Sequence, residues 1–100
     1  MRSIIFLLLI GLCTGATPAE IDGVRMWQGS DRTTVVFDLS EPLKYRLYEF
    51  QNPPRLVIDF SDTRVPRTLV LPSIAGTPLT DLRYAGRGEN DLRVVLDLSQ

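Results

Sequence analysis

Three stretches of this chain are variants of one strand. Residues 34–40 read Thr34-Val35-Val36-Phe37-Asp38-Leu39-Ser40. Residues 55–61 read Arg55-Leu56-Val57-Ile58-Asp59-Phe60-Ser61, and residues 93–99 read Arg93-Val94-Val95-Leu96-Asp97-Leu98-Ser99. In each, alternate residues share one apolar face: Val35, Phe37 and Leu39; Leu56, Ile58 and Phe60; Val94, Leu96 and Leu98. That period of two is the signature of a strand with one face in a core. Val36, Val57 and Val95 fall on the opposite face, so each strand is apolar on part of both sides. The first and third copies extend backward. Ile21, Val24, Arg25 and Met26 align with Leu79, Leu82, Arg83 and Tyr84, with one extra residue in the second turn. A hairpin over residues 21–40 therefore recurs over residues 79–99, as an internal duplication would leave it.

Turn signals punctuate the strands at Gly29-Ser30-Asp31, Glu41-Pro42, Asn52-Pro53-Pro54 and Gly86-Arg87-Gly88. A further strand is expected over residues 45–50, and a short one around residues 69–71 in a proline-rich crossover. No window past the N-terminal segment has a helical period. The expected fold is all-β: a sandwich of two related, mainly antiparallel sheets built from the internal repeat. The second copy of the repeat stops after its hairpin, so the second sheet is expected to be truncated at its C-terminal side, lacking about two strands. An exposed sheet edge is the expected consequence.

The N-terminus has its own character. Arg2 is followed by an uninterrupted apolar run over residues 4–12, then small residues, then a polar stretch. This is the layout of a secretory signal peptide. The run is roughly half the ~20 residues that a bilayer-spanning helix needs, although an uncleaved anchor is the alternative. Cleavage fits after Ala16 or Ala19, with Ala19 preferred. The domain division is therefore 1–19 for the signal and 20–100 for one small β domain. Cys13 invites comparison with a lipoprotein signal, but Leu12 stands where such a signal needs Gly, Ala or Ser. Because that cysteine is the only one, no disulfide is available to a domain small enough to need help. Past the signal, ten positive charges face twelve negative ones. Nucleic-acid binding would call for a basic excess. Nine of those ten are arginine, which suits carboxylate recognition but also follows from a GC-rich genome.

Catalysis has little to work with. The chain contains no histidine, so Ser–His and Cys–His nucleophile arrangements are excluded. A carboxylate pair would draw on Asp38, Asp59 and Asp97. Each occupies the same position of the repeated strand, and a residue repeated by symmetry serves a framework more readily than a reaction. Glu89, Asn90 and Asp91 lack the spacing of a calcium loop.

In combination, Ile21-x-x-Val24-Arg25, residues 33–40, Tyr45 and the string Asn52-Pro53-Pro54-Arg55-Leu56-Val57-Ile58-Asp59 resemble the AMIN domain. That module precedes the catalytic domain of periplasmic N-acetylmuramoyl-L-alanine amidases and also occurs in type IV pilus secretins. The resemblance implies a β-sandwich of two related four-stranded sheets, peptidoglycan binding and recruitment of the amidase to the division septum. It also implies zinc, but only in a catalytic domain outside this chain, because the chain has no histidine and no cysteine past the signal segment. No cofactor or metal is expected in the chain itself.

Peptidoglycan presents sugar rings and peptide carboxylates, which suit aromatic faces and arginine forks. Trp27 and Arg25 share a face, Arg83 is the repeat-mate of Arg25, and Tyr45 and Tyr48 fall on opposite faces of their strand. The candidate ligand-binding residues are Arg25, Trp27, Tyr48 and Arg83. Against them, Trp27 equally suits a cap on the core, and both arginines suit ion pairs with nearby aspartates. The expected activity is non-catalytic: a peptidoglycan-binding, septal-targeting module of a periplasmic cell-wall amidase. The alternative is a protein-interaction module of an envelope complex, such as a pilus secretin, with envelope or division proteins as partners. Neither nucleic acid nor, in the mature form, a membrane is expected as a partner.

Overall fold

The structure, a computed structural model, describes residues 4–11, 19–64, 69–88 and 90–99. Eight strands follow in order: β1 (Ile4–Gly11), β2 (Ala19–Gln28), β3 (Arg32–Leu39), β4 (Tyr45–Phe50), β5 (Arg55–Phe60), β6 (Thr63–Arg64), β7 (Leu79–Arg87) and β8 (Asp91–Leu98). They form two four-stranded sheets, ordered β1-β3-β2-β6 and β4-β5-β8-β7. No helix occurs among the described residues.

The duplicated hairpins are β2–β3 and β7–β8, one in each sheet. Their likeness reaches to irregularities. The β2–β3 ladder shifts register between Ile21 and Gly23, and the β7–β8 ladder shifts at the equivalent place, between Leu79 and Asp81. A bulge repeated in both copies sets the twist and turns the next outward residue, Arg25 or Arg83, onto the outer face of its sheet. The β7–β8 turn carries Gly88 at φ 65°, a left-handed conformation that glycine adopts without a Cβ penalty.

The inward faces are those that the alternation predicts. Val35, Phe37 and Leu39 of β3 meet Ile58 and Phe60 of β5 and Leu92, Val94 and Leu96 of β8 in one buried cluster. Phe37 and Phe60 come from different sheets and meet edge to edge-face at 5.5 Å between centroids, with planes 61° apart.

Three arrangements differ from the sequence reading. First, β4 and β5 do not stay with the hairpin that precedes them. They cross to the other sheet, where β5 pairs antiparallel with β8. The second hairpin thus sits in a full four-stranded sheet, and the other sheet reaches four strands by a different neighbour beside β3. There the apolar N-terminal segment lies as β1, parallel to β3, with Ile5, Leu7 and Leu9 packed against the core. Second, residues 69–71 pair with no strand; Leu69 and Leu71 rest on the core as plugs under the crossover. Third, a two-residue strand, β6, pairs parallel with the start of β2 through Ala19–Thr63 and Glu20–Arg64. Alternation over two residues is too short to signal a strand.

Deleting either ring of the inter-sheet pair should leave a cavity between the sheets. Phe37→Ala and Phe60→Ala are each expected to lower unfolding free energy by about 3–5 kcal/mol in urea titrations. Val70→Ala, at a side chain that is 81% exposed, is expected to change it by less than about 0.5 kcal/mol.

Candidate functional site

The outer face of the β4-β5-β8-β7 sheet is an ordered grid. Its central row runs Tyr48, Val57, Val95, Arg83, one residue from each strand in register. One flanking row runs Phe50, Arg55, Asp97, Asp81; the other runs Arg46, Asp59, Arg93, Ala85. Two charged rows therefore flank a central row whose valines, Val57 and Val95, lie buried or half-buried between Tyr48 and Arg83. The rows follow from the repeat. The strands β5 and β8 both carry arginine at the first position of the motif and aspartate at the fifth. Paired antiparallel, each arginine falls opposite the other strand's aspartate: Arg55 opposite Asp97, and Arg93 opposite Asp59.

The aspartates organise the arginines. Arg93 donates twice to Asp59, from Nε at 2.7 Å and Nη2 at 2.9 Å, and Arg87 donates to the same carboxylate at 2.6 Å. The Asp59 side chain is only 10% exposed, so this carboxylate is held inside the sheet surface by two guanidinium groups. The hydrogen bonds from Arg93 hold its pKa below the ordinary aspartate value, against the opposing effect of burial. Arg83 donates to Asp97 from Nε at 2.9 Å and Nη2 at 3.2 Å, and lowers that pKa in the same way, with Arg55 adding to the effect.

Aromatic groups line the β4 end. Tyr48 and Phe50 rings lie 6.2 Å apart, and the Arg55 guanidinium sits 4.7 Å over the Phe50 ring. This edge thus offers ring faces beside guanidinium donors, the two chemistries that sugars and carboxylates call for.

The outer face of the other sheet carries a sparser version. Arg25 donates to Asp38 at 2.8 and 2.7 Å, the repeat-mate of the Arg83–Asp97 pair. Its guanidinium also lies 5.4 Å from the Trp27 ring. Trp27 is 53% exposed and points outward, so it does not cap the core. Both pairs are exposed and screened by solvent, so they add little to stability; their effect is to orient the guanidinium forks along the surface.

The four candidate residues consequently fall on two faces. Arg25 and Trp27 meet on one side of the sandwich. Tyr48 and Arg83 share a row on the other, three strand spacings apart, or roughly 14–15 Å. Tyr45 turns inward to the Phe60 ring at 6.4 Å, opposite to Tyr48. Asp38, Asp59 and Asp97 each bond arginine, the framework role expected of a repeated residue. Glu89 lies outside the described residues, and Asp91 accepts from the Asp62 N–H at 3.1 Å. The sequence reading missed Arg46, Phe50, Arg55 and Arg93. The alternation of Arg46, Tyr48 and Phe50, and the shared Arg–Asp spacing of β5 and β8, were the signals available.

Comparison with known proteins gives a consistent picture. The family model described as the AMIN domain matches residues 23–100. The N-acetylmuramoyl-L-alanine amidase AmiC of Escherichia coli O6:H1 is 29% identical over 101 residues, covering 95% of this chain. The chain spans about a quarter of that relative, 24% of its length. No solved structure matches.

The depressed pKa values set a sign for acid sensitivity. A carboxyl whose folded pKa lies below its unfolded value stabilises the fold above the unfolded value, about 3.9, and loses that contribution as pH falls through the folded one. Unfolding free energy is expected to be flat from about pH 7 to 5 and to fall below about pH 4. In Asp59→Asn the acid fall is expected to be shallower and the neutral-pH stability lower, as measured by urea titration across pH.

Proposed function

This chain belongs to the AMIN domain family, and on that premise we propose that it is the targeting module of a cell-wall amidase. It acts without catalysis, in the periplasm, by binding peptidoglycan. Binding places an amidase domain outside residues 1–100, zinc-dependent in this reading, at the division septum. The observation that carries the proposal is the outer grid of the β4-β5-β8-β7 sheet. A row from Tyr48 through Val57 and Val95 to Arg83 runs between rows of arginine and aspartate, with Phe50 and Arg55 stacked at the β4 edge. Ring faces pack against sugars, while Arg46 and Arg55 meet stem-peptide carboxylates. Arg25 and Trp27 give the opposite side a second, smaller contact. On a polymer that repeats its ligand, two weak faces raise retention by effective concentration.

A second reading, docking of an envelope protein, is favoured by the β4 edge, where Tyr45, Leu47 and Phe50 are all substantially exposed. A strand edge with apolar side chains is suited to strand addition.

Co-sedimentation with intact sacculi separates the two. The purified protein is expected to pellet saturably with sacculi and to be released by salt. The double variant Tyr48→Ala/Phe50→Ala should weaken this roughly three- to tenfold, and Trp27→Ala by less. A folded protein that stays in the supernatant at low salt would sink wall binding and leave the protein-docking reading.

Export carries its own prediction. Ala19 is 2% exposed and its N–H donates to the Asp62 carbonyl at 3.3 Å, where β2 begins beside β6. Processing after Ala16 preserves that pairing, whereas processing after Ala19 removes it. Terminal sequencing of the periplasmic protein decides between them: the sequence favours a start at Glu20, and the Ala19–Thr63 pairing favours a start at Thr17. A start at Glu20 would show that the Ala19–Thr63 pairing is dispensable.

A further inference from the structure

The two charged rows on the outer face of the β4-β5-β8-β7 sheet are not balanced alike. In the row that holds Arg55, Asp97 and Asp81, guanidinium and carboxylate match. Asp97 takes the Arg83 fork, and Asp81 lies 4.0 Å from the same group. Arg55 donates to the Pro53 carbonyl at 3.1 Å and stacks on Phe50. The row of Arg46, Asp59 and Arg93, which Arg87 joins, sets three guanidinium groups around one carboxylate. Asp59 bonds two of them and cancels the charge of one. Arg46, directly across the ladder from Asp59, is exposed and makes no ion pair among the described residues. Asp91, opposite Arg87 on β8, accepts from the Asp62 N–H and pairs with no arginine among the described residues. Donors remain as well as charge. Arg93 uses Nε and Nη2 on Asp59 and keeps Nη1; Arg87 uses Nη1 and keeps Nε and Nη2. Their side chains are 39% and 54% exposed, so both stay open to solvent. The nearly buried Asp59 fixes where the two forks stand. A second anion therefore meets them without first ordering two long side chains.

We infer that Arg46, Arg87 and Arg93 form a subsite for a free carboxylate, with Asp59 behind it as the positioning residue. The carboxylate is one of the peptidoglycan stem peptide in its unamidated form; this assignment of the ligand rests on the wall-binding reading, whereas the site itself rests on the surplus of arginine. Arg46 and Arg93 flank Asp59 two strand spacings apart, roughly 10 Å, so a group above Asp59 lies within reach of all three long side chains. One of three positive charges is cancelled, and the field there stays attractive to an anion. Guanidinium forks meet a carboxylate with charge-assisted bonds. An amide in its place has no charge and sets N–H donors against N–H donors, so the subsite rejects it. Two and four residues further along β4, on the same face, stand Tyr48 and Phe50. A ligand that bears both a ring and a carboxylate is thereby given a direction, its carboxylate toward Arg46 and its ring toward Phe50.

The test reads the guanidinium groups directly. Arginine Nε–H resonances of the isotope-labelled protein are followed by NMR during titration with L-alanyl-D-glutamate, which carries two free carboxylates, and with its diamide. Saturable shifts at roughly millimolar dipeptide are expected at Arg87 and Arg93, with none at Arg25 on the opposite face and none from the diamide. On the wall itself, sacculi whose carboxylates have been converted to amides are expected to retain the protein about tenfold less than untreated sacculi at low salt. Arg46→Gln leaves both Asp59 pairs in place. It is expected to lower retention on untreated sacculi about three- to tenfold with unchanged urea stability. Arg83→Gln, at a guanidinium that Asp97 already matches, should preserve the discrimination between the two kinds of sacculi. An equal response to dipeptide and diamide, shifts confined to Arg25 and Arg83, or equal retention on both kinds of sacculi would each overturn the proposal. Equal retention leaves wall binding standing. Shifts at Arg87 and Arg93 without retention on any sacculus sink the wall-binding reading, and the stem-peptide assignment with it, while the carboxylate subsite stands.

Discussion

Two phenylalanines from opposite sheets meet near the middle of the molecule, the ring of Phe37 angled against that of Phe60. Both are wholly buried, and the buried cluster they belong to draws on five strands, with Ile21, Val35, Ile58, Leu82 and Leu96 one from each. For a chain this small, with a single cysteine in its N-terminal segment, burial of apolar surface between the sheets is the main source of cohesion. The packing also fixes the outer faces. Each inward ring or aliphatic chain sets its neighbours outward, so the contact between Phe37 and Phe60 determines where Arg25, Tyr48 and Arg83 point.

On those outer faces the dominant device is a carboxylate that holds an arginine fork. The exposed pairs, Arg25–Asp38 and Arg83–Asp97, add little to stability but lock long side chains into a flat arrangement. Asp59 is a different case. Enclosed by Arg87 and Arg93, it is a nearly buried charge whose removal from either partner leaves the other unbalanced. The face therefore combines aspartate-held arginines with Arg46 and the Phe50–Arg55 stack at its β4 edge.

The inward face of each strand is legible in the sequence, because alternation is a local property: Val35, Phe37, Ile58 and Leu96 are inward, whereas Trp27, equally suited by sequence to cap the core, is placed outward only by the structure. The repeat is equally legible, and it foretells both the matching hairpins and the matching Arg–Asp pairs. What local pattern does not carry is sheet membership. The turn at Glu41-Pro42 gives no sign that β4 and β5 cross to the opposite sheet, because their inward residues suit either one. The apolar run over residues 4–12 reads as a leader, and its hydrophobicity fits a core-facing strand as well as an export signal. The grid of Arg55, Asp59, Arg93 and Asp97 was hidden for a related reason: it emerges only once β5 and β8 are known to be neighbours.

The spacing of arginine and aspartate in that grid has a consequence for how such a fold arises. A strand with a cation at its first position and an anion at its fifth is its own complement when two copies run in opposite directions. Run in the same direction, the copies set like charge against like. Such a segment needs no second, independently evolved sequence to build a sheet; one coding unit furnishes both sides of the ladder. A half-sized ancestor carrying it would join edges around a two-fold axis, as isologous dimers do. Duplication within one gene then turns a meeting of two molecules into a fold of one, and the charge pattern that chose the partner survives as the pattern that sets the register.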